Sequence, residues 1–432
     1  MYHVIVDGKL ARNIPIAAPG FSTVLVLIAL LLPWLPCQSP VRAGEEVTVE
    51  GVLHVRNGSH SELGMKMYRL QEMWSVGGDD EENIFGLLLQ ALVGQNGRLY
   101  LLDAKLCEVA VFSPTGEREG TLSRRGEGPG EMRNPVDMVF LPGDRLGLVQ
   151  HFPAAMSIVS LDGTPAGTFR LFGDDADDDS FAQLFEMESS GDELIAGYRL
   201  RKGERGRERT SVVSRFAQDG TELVVYEQVN TFMDFQSPRR NEEENFAPDY
   251  GHWAVLPEGR LCVAPYRNQY RFNIYNADGS LDRVVERTYS SYRRTNKERN
   301  LQRLIMEAQT SHLRGEVDIA VSSTEPDIER ICTGPDGNLW VETSRGRRPE
   351  QPGVMMVWDV FTPLGHFLKQ VSMLAPHDAL EDLVLFTGSR RVTVITRYYA
   401  TKREFMTHGL IGSRAGEPET AEPMAVIMYR EE

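Results

Sequence analysis

Apolar residues along this chain recur in short runs, not in long helical stripes. Between Ala91 and Pro135 two such runs stand out, Leu99 to Asp103 and Val109 to Phe112. Both are apolar on successive positions, which suits strands of about five residues buried on both faces in packed sheets. Asn96-Gly97 precedes the first run and supplies the positive-φ residues of a tight hairpin. Pro114-Thr115-Gly116 turns the chain into a third run near Glu119 to Ser123. The loop Gly126 to Pro135 then stops further pairing, because glycine admits unusual dihedrals and proline lacks an N–H.

The pattern returns. Gly143-Asp144, Gly191-Asp192, Glu258-Gly259 and Asp336-Gly337 each precede an apolar run. Asp162-Gly163, Asp219-Gly220, Asp278-Gly279 and Leu364-Gly365 each follow the next one, and a weaker copy starts near Leu383. A repeat of roughly 40–50 residues with several strands per unit is the signature of a β-propeller or another radial β array.

On these residues the stretch Ala91–Pro135 resembles the NHL-type repeat. Gly126, Gly128, Gly130 and Pro135 match its loop, and Leu99–Asp103 and Glu108–Phe112 match its strands. The Gly-Pro-Gly-Glu core and Pro335-Asp-Gly-Asn-Leu-Trp340 are similar to the bacterial extracytoplasmic six-bladed β-propeller family. The resemblance implies an all-β, six-bladed β-propeller. Later copies keep the turns and lose the glycine loop.

On this reading residues 84–432 form the propeller, with later units over about 136–173, 181–235, 252–294, 328–374 and 378–432. Residues 44–83 hold two strands, Val47–Val55 and Tyr68–Val76, expected to close the ring and remove an open edge. One helix is expected, inserted at 295–315 between blades four and five. Leu301, Leu304, Ile305, Ala308 and His312 make its apolar stripe, and Gly315 stops it. Trp340 and Trp358 are expected to pack between sheets.

Residues 1–43 differ from the rest. Phe21–Leu32 is an uncharged, largely apolar run, preceded by Lys9 and Arg12 and ended by Pro33. It is short of the about 20 residues a membrane span needs. With Val41-Arg42-Ala43 behind it, the segment is read as a secretory signal peptide, so the protein is expected to be exported, periplasmic or extracellular. An uncleaved envelope anchor is the rival reading, and would be the only tie to a membrane. Cys37 after proline is a poor lipoprotein site.

The chain of 432 residues carries a net charge of −16. Removing 1–43 takes away three basic residues and one acidic, giving about −18. That balance argues against nucleic acid, which wants a basic face. Cys107, Cys262 and Cys332 remain, an odd number without CxxC, which fits buried small hydrophobes.

Candidate chemistry is sparse. HExxH, GxSxG and Walker motifs are absent, and Gly126–Gly130 joins strand to strand without the lysine and helix of a phosphate loop. Nine histidines are scattered without metal-ligand spacing. Asp103, His151 and His252 lie at or just after strand runs and are the weak channel candidates, although an aspartate at the NHL position of Asp103 implies a structural hydrogen-bonding role. Asp174–Asp179 has the carboxylates for Ca²⁺ but lacks the EF-hand order. Arg199–Arg209 is expected to be a hairpin loop of mixed charge that, on an acidic protein, faces either solvent or an acidic partner. The expected function is a monomeric binding or interaction platform for a protein or small ligand, without catalysis or cofactor. The alternative is a metal-dependent propeller enzyme, lactonase- or lyase-like, working at the axial channel.

Overall fold

The computed structural model describes residues 44–80, 82–173, 181–202, 208–232, 239–311, 317–388, 390–407 and 423–432. Residues 1–43, read from sequence as a signal peptide, the acidic run Asp174–Asp179 and the expected helix stop at Gly315 lie outside them. The chain divides into two units, residues 1–40 and 41–432, and every described element belongs to the second.

The chain opens with β1 (Glu45–Val49), β2 (Val52–Asn57) and the long β3 (Met65–Gly77). Four-stranded antiparallel meanders come next. The first is β4 (Leu88–Val93), β5 (Leu99–Asp103), β6 (Glu108–Phe112) and β7 (Arg118–Leu122). The second is β8 (Pro135–Leu141), β9 (Arg145–Gln150), β10 (Ala155–Ser160) and β11 (Pro165–Arg170). The third is β12 (Phe181–Ser190), β13 (Glu193–Lys202), β14 (Glu208–Phe216) and β15 (Glu222–Phe232). After the short β16 (Arg239–Asn241) comes the fourth, β17 (Trp253–Val255), β18 (Leu261–Val263), β19 (Arg271–Tyr275) and β20 (Leu281–Arg287). Helix α1 (Asn296–Thr310) and β21 (Asp318–Ala320) precede the fifth, β22 (Ile328–Thr333), β23 (Leu339–Thr343), β24 (Val354–Phe361) and β25 (Phe367–Leu374). The last sheet is β26 (Leu383–Gly388), β27 (Arg391–Ile395) and β28 (Ala425–Glu431), with helix α2 (Tyr398–Met406) between β27 and β28. The described chain is thus mostly β in many small sheets, an architecture consistent with a β-propeller.

Period-two alternation explains why the runs are apolar on both faces. In β5, Tyr100 and Leu102 pack with Met138, Leu146 and Leu148 of the second meander, whereas Leu99 and Leu101 pack with Ile395, Val426 and Met428 of the last sheet. Each meander is therefore sandwiched. The cluster between fourth and fifth joins Phe272 and Ile274 to Leu339 and Val341, and that between fifth and last joins Trp340 and Trp358 to Val384 and Val394. Every such fully buried aliphatic or aromatic side chain contributes about 1.5–3 kcal/mol relative to exposure. Cys107, Cys262 and Cys332 are free thiols, the first two buried.

The first of the two N-terminal strands differs from expectation. The chain turns at Glu50 and Gly51, both at positive φ, so Val47–Val55 is a hairpin, not one strand. That hairpin extends the fourth sheet, β2 lying parallel to β20. The fully buried amide of Asn57 ties it to the fifth sheet as well: Nδ2 donates to Gly365 O at 2.9 Å, and Oδ1 accepts from Phe367 N at 2.9 Å. β3 instead completes the last sheet, antiparallel to β28 over Leu70–Gly77, while its first residues Met65–Arg69 pair in parallel with β25. Trp74 of β3 donates to Pro114 O of the first meander at 3.0 Å.

The helix reading is also corrected. α1 starts on a capping box in which Thr295 and Glu298 bond each other's backbone N–H. Its most buried side chains are Met306, Ala308 and Thr310, with Leu301, Leu304 and Ile305 only half-buried. A second helix, α2, exists where only strand was expected. Its N-cap, Arg397, has φ 56° and makes no side-chain cap bond, so no capping residue announced it.

The glycine loop is a self-filled connector. Glu131 folds back, accepting from Gly128 N at 2.9 Å and from Arg124 Nε at 2.7 Å. A Cβ on Gly126 would stand 1.9 Å from Glu131 Oε2, so a side chain there requires that carboxylate to move.

Candidate functional site: an inner belt of buried carboxyls beneath α2

The leading strand of each meander touches the leading strand of the next, and polar side chains mark the contacts. Gln90 of β4 donates to Asp137 Oδ1 of β8 at 3.1 Å. Asp137 Oδ2 accepts from Met187 N of β12 at 2.9 Å. Glu188 of β12 accepts from Val255 N of β17 at 3.4 Å, and Thr333 of β22 donates to Val255 O. Arg330 of β22 donates to Val384 O of β26 at 2.6 Å. β26 in turn contacts β4.

Four carboxyls on this belt are held far from their ordinary range. Burial pushes Asp137 up to about 6, against the pull of its three hydrogen bonds. Glu186 and Glu188, two residues apart beyond a bulge at Leu184/Glu186, share one side of β12. Burial pushes Glu188 up to about 7. Burial first, then the neighbouring Asp137 charge, hold Glu186 well above the usual carboxylate range, although it accepts from Gly251 N at 2.7 Å. Burial also lifts Glu329 of β22 to about 7, opposed by Arg347 at 3.8 Å. All three glutamates keep some solvent contact.

Cationic groups complete the cluster. Buried Glu342 is shared by Arg330, at 2.9 Å, and Arg347, at 3.3 Å. Arg347 also donates to Ala379 O and stacks over Tyr399 of α2, 4.1 Å from the ring centroid. Lys402 of α2 donates to Tyr398 Oη at 3.1 Å and Tyr250 Oη at 3.3 Å. Tyr250 immediately precedes the Gly251 that bonds Glu186. α2 therefore spans from the last sheet to the connection before the fourth, over the end of the belt that holds Glu186 and Glu329.

The residues singled out from sequence are not brought together. Asp103 accepts four backbone N–H groups, from Gly86, Leu87, Lys105 and Leu106, at 2.6–3.1 Å, which staples the turn after β5. His151 faces Leu184 O at 2.8 Å through Nδ1 and Gln183 at 2.6 Å through Nε2. His252 faces Tyr250 O at 2.7 Å and packs edge-on against Phe246. Burial lowers both imidazoles, so both are neutral near pH 7. Sequence reasoning missed Asp137, Glu186, Glu188 and Glu329. The available signal was an acidic residue inside each apolar run VDMVFL, LFEMES and IERICT, where a buried strand should carry none. Among the described residues no three His, Cys, Asp or Glu side chains are arranged to hold a metal ion, and no helix is long and apolar enough to cross a membrane.

No family model and no curated protein matches the sequence. Solved structures that resemble the fold include a member of the DUF4221 family from Bacteroides vulgatus, with TM-score 0.46 and 10% identity over 84% of this chain and 98% of that one. A candidate exported protein from Bacteroides fragilis gives TM-score 0.46 and 9% identity over 88% and 99%. Virginiamycin B lyase from Staphylococcus aureus gives TM-score 0.40 and 8% identity over 83% and 99%. Likeness at this level says nothing about what the chain does.

Proposed function

We propose that this is an exported six-bladed β-propeller that binds a small polar ligand at the inner belt beneath α2. The blade count is supported by a hydrophobic cluster at every junction of consecutive sheets, the last with the first included. Export is supported by the apolar Phe21–Leu32 behind Lys9 and Arg12.

The observation that supports the ligand reading is the clustering of Asp137, Glu186 and Glu188, whose charges act on one another, with Glu329 raised on β22 of the same belt. Burying a carboxyl is costly, and a core filled only for stability gains more from apolar groups. Asp137, Glu186 and Glu188 each use part of their hydrogen-bonding capacity on the protein and keep the rest. Protonated, such a group donates; ionised, it accepts or receives a cation. The site thus suits a ligand rich in hydroxyl or amine groups. Thermal-shift screening of a chain spanning 44–432 against polyols, sugars and small amines tests this. The expected result is a stabilising hit whose shift is lost in Glu186→Gln/Glu188→Gln. No hit, or hits unchanged in that variant, overturns it.

One observation favours the enzyme alternative: Asp137 near 6 and Glu188 near 7 lie where general acids and bases operate. Turnover of a lactone or lyase substrate by the wild type, abolished in Asp137→Asn, would select that reading.

A further inference from the structure

The third sheet has strands of nine to eleven residues, against five or six in the first. The extra length carries arginines. Arg199 and Arg201 lie two apart on β13 and so share a face. Arg201 stands directly opposite Arg209 of β14, a like-charged cross-strand pair that costs stability. Arg240 of β16 approaches the same group, close enough that Arg199, Arg201, Arg209 and Arg240 all repel one another. Burial and crowding pull Arg209 down to about 9.

Among the described residues, little balances this charge. Asp249 is taken bidentately by Arg199, with both bonds at 2.8 Å. Arg209 directs its donors to Thr231 and Asn245, which are neutral. Arg201 and Arg240 form no ion pair among the described residues, although the chain holds 62 acidic residues. Arg201 is exposed, and Arg209 and Arg240 are half-buried, so the guanidinium groups remain reachable from solvent.

We propose that Arg201, Arg209 and Arg240 form a receptor for a small, multiply charged oxyanion bearing phosphoryl or carboxylate groups. Planar guanidinium forks recognise both bidentately, and the bound anion would relieve the repulsion that the free protein carries. This site is separate from the carboxyl belt and does not depend on its ligand.

Calorimetric titration of the 44–432 chain with phosphate, pyrophosphate and citrate at matched ionic strength tests it, the three arms separating phosphoryl from carboxylate preference. Binding is expected, at least 10-fold weaker in Arg201→Gln/Arg240→Gln and unchanged in Arg239→Gln, whose residue pairs with Asp318 instead. In anion-free buffer Arg201→Gln should melt higher than wild type, an effect that loss of a merely structural contact would not give. No binding by wild type, equal loss in Arg239→Gln, or a lower melting point for Arg201→Gln overturns the proposal.

Discussion

Lys402 and Tyr250 stand 152 residues apart in sequence and 3.3 Å apart in space, the ammonium of α2 donating to the phenol of the connection before the fourth sheet. With Tyr398 as its second acceptor, Lys402 is the pin that holds α2 across the carboxyl belt. Replacing it with methionine keeps the stem and removes the donors. We expect a loss of about 1–2 kcal/mol, two ordinary hydrogen bonds. Faster amide exchange should be confined to Tyr398–Thr407, read by hydrogen-exchange mass spectrometry.

The belt makes stability depend on pH in an unusual sense. Asp137, near 6, and Glu188 and Glu329, near 7, hold protons in the folded state past the pH at which the unfolded chain, with values of 3.8 and 4.5, releases them. The folded state therefore binds more protons across this window, and stability falls as pH rises from about 4 to about 7. The contribution is on the order of 1–3 kcal/mol per group. Urea midpoints measured from pH 4 to 8 should decline, and Glu188→Gln should flatten the decline and raise the midpoint at pH 8. A midpoint that climbs with pH over this range would refute the assignment.

Asp103 should matter for folding and not for ligand. Asp103→Ala leaves four buried or half-buried N–H groups without their acceptor, and we expect a loss of about 2–4 kcal/mol in chemical denaturation. The folded fraction should bind whatever the wild type binds with unchanged affinity.

Gly126 and Glu131 should show coupling. Gly126→Ala places a methyl against the carboxylate, displaces it from Gly128 N and Arg124, and should lower the denaturation midpoint. Glu131→Ala removes the obstacle, so the double variant should recover part of that loss. A double-mutant cycle with no interaction energy would contradict the loop geometry.

Much of the fold was legible because strand periodicity is local. LYLLD is apolar on both faces because it is buried on both, and turn pairs such as Asp162-Gly163 fall between paired strands as their φ preferences require. α1 was legible from its stripe and from Thr295-x-x-Glu298. α2 was not, since Tyr398–Met406 has neither a capping residue nor a clear apolar face and is held by Lys402, Arg347 and Tyr250, the last two far away in sequence. β3 looks like any alternating strand; that its two halves serve different sheets depends on partners some 300 residues downstream. The site was least legible. Histidines drew attention by chemistry, whereas Asp137, Glu186 and Glu329 matter by position, each as the acidic exception in an otherwise apolar strand.

The double duty of β3 has a consequence for biogenesis. Met65–Gly77 leaves the ribosome long before its antiparallel mate Ala425–Glu431. Until that mate arrives, one edge of β3 stays open and sticky, so the nascent chain needs an escort, or else stays unfolded until both ends of this pairing have been made.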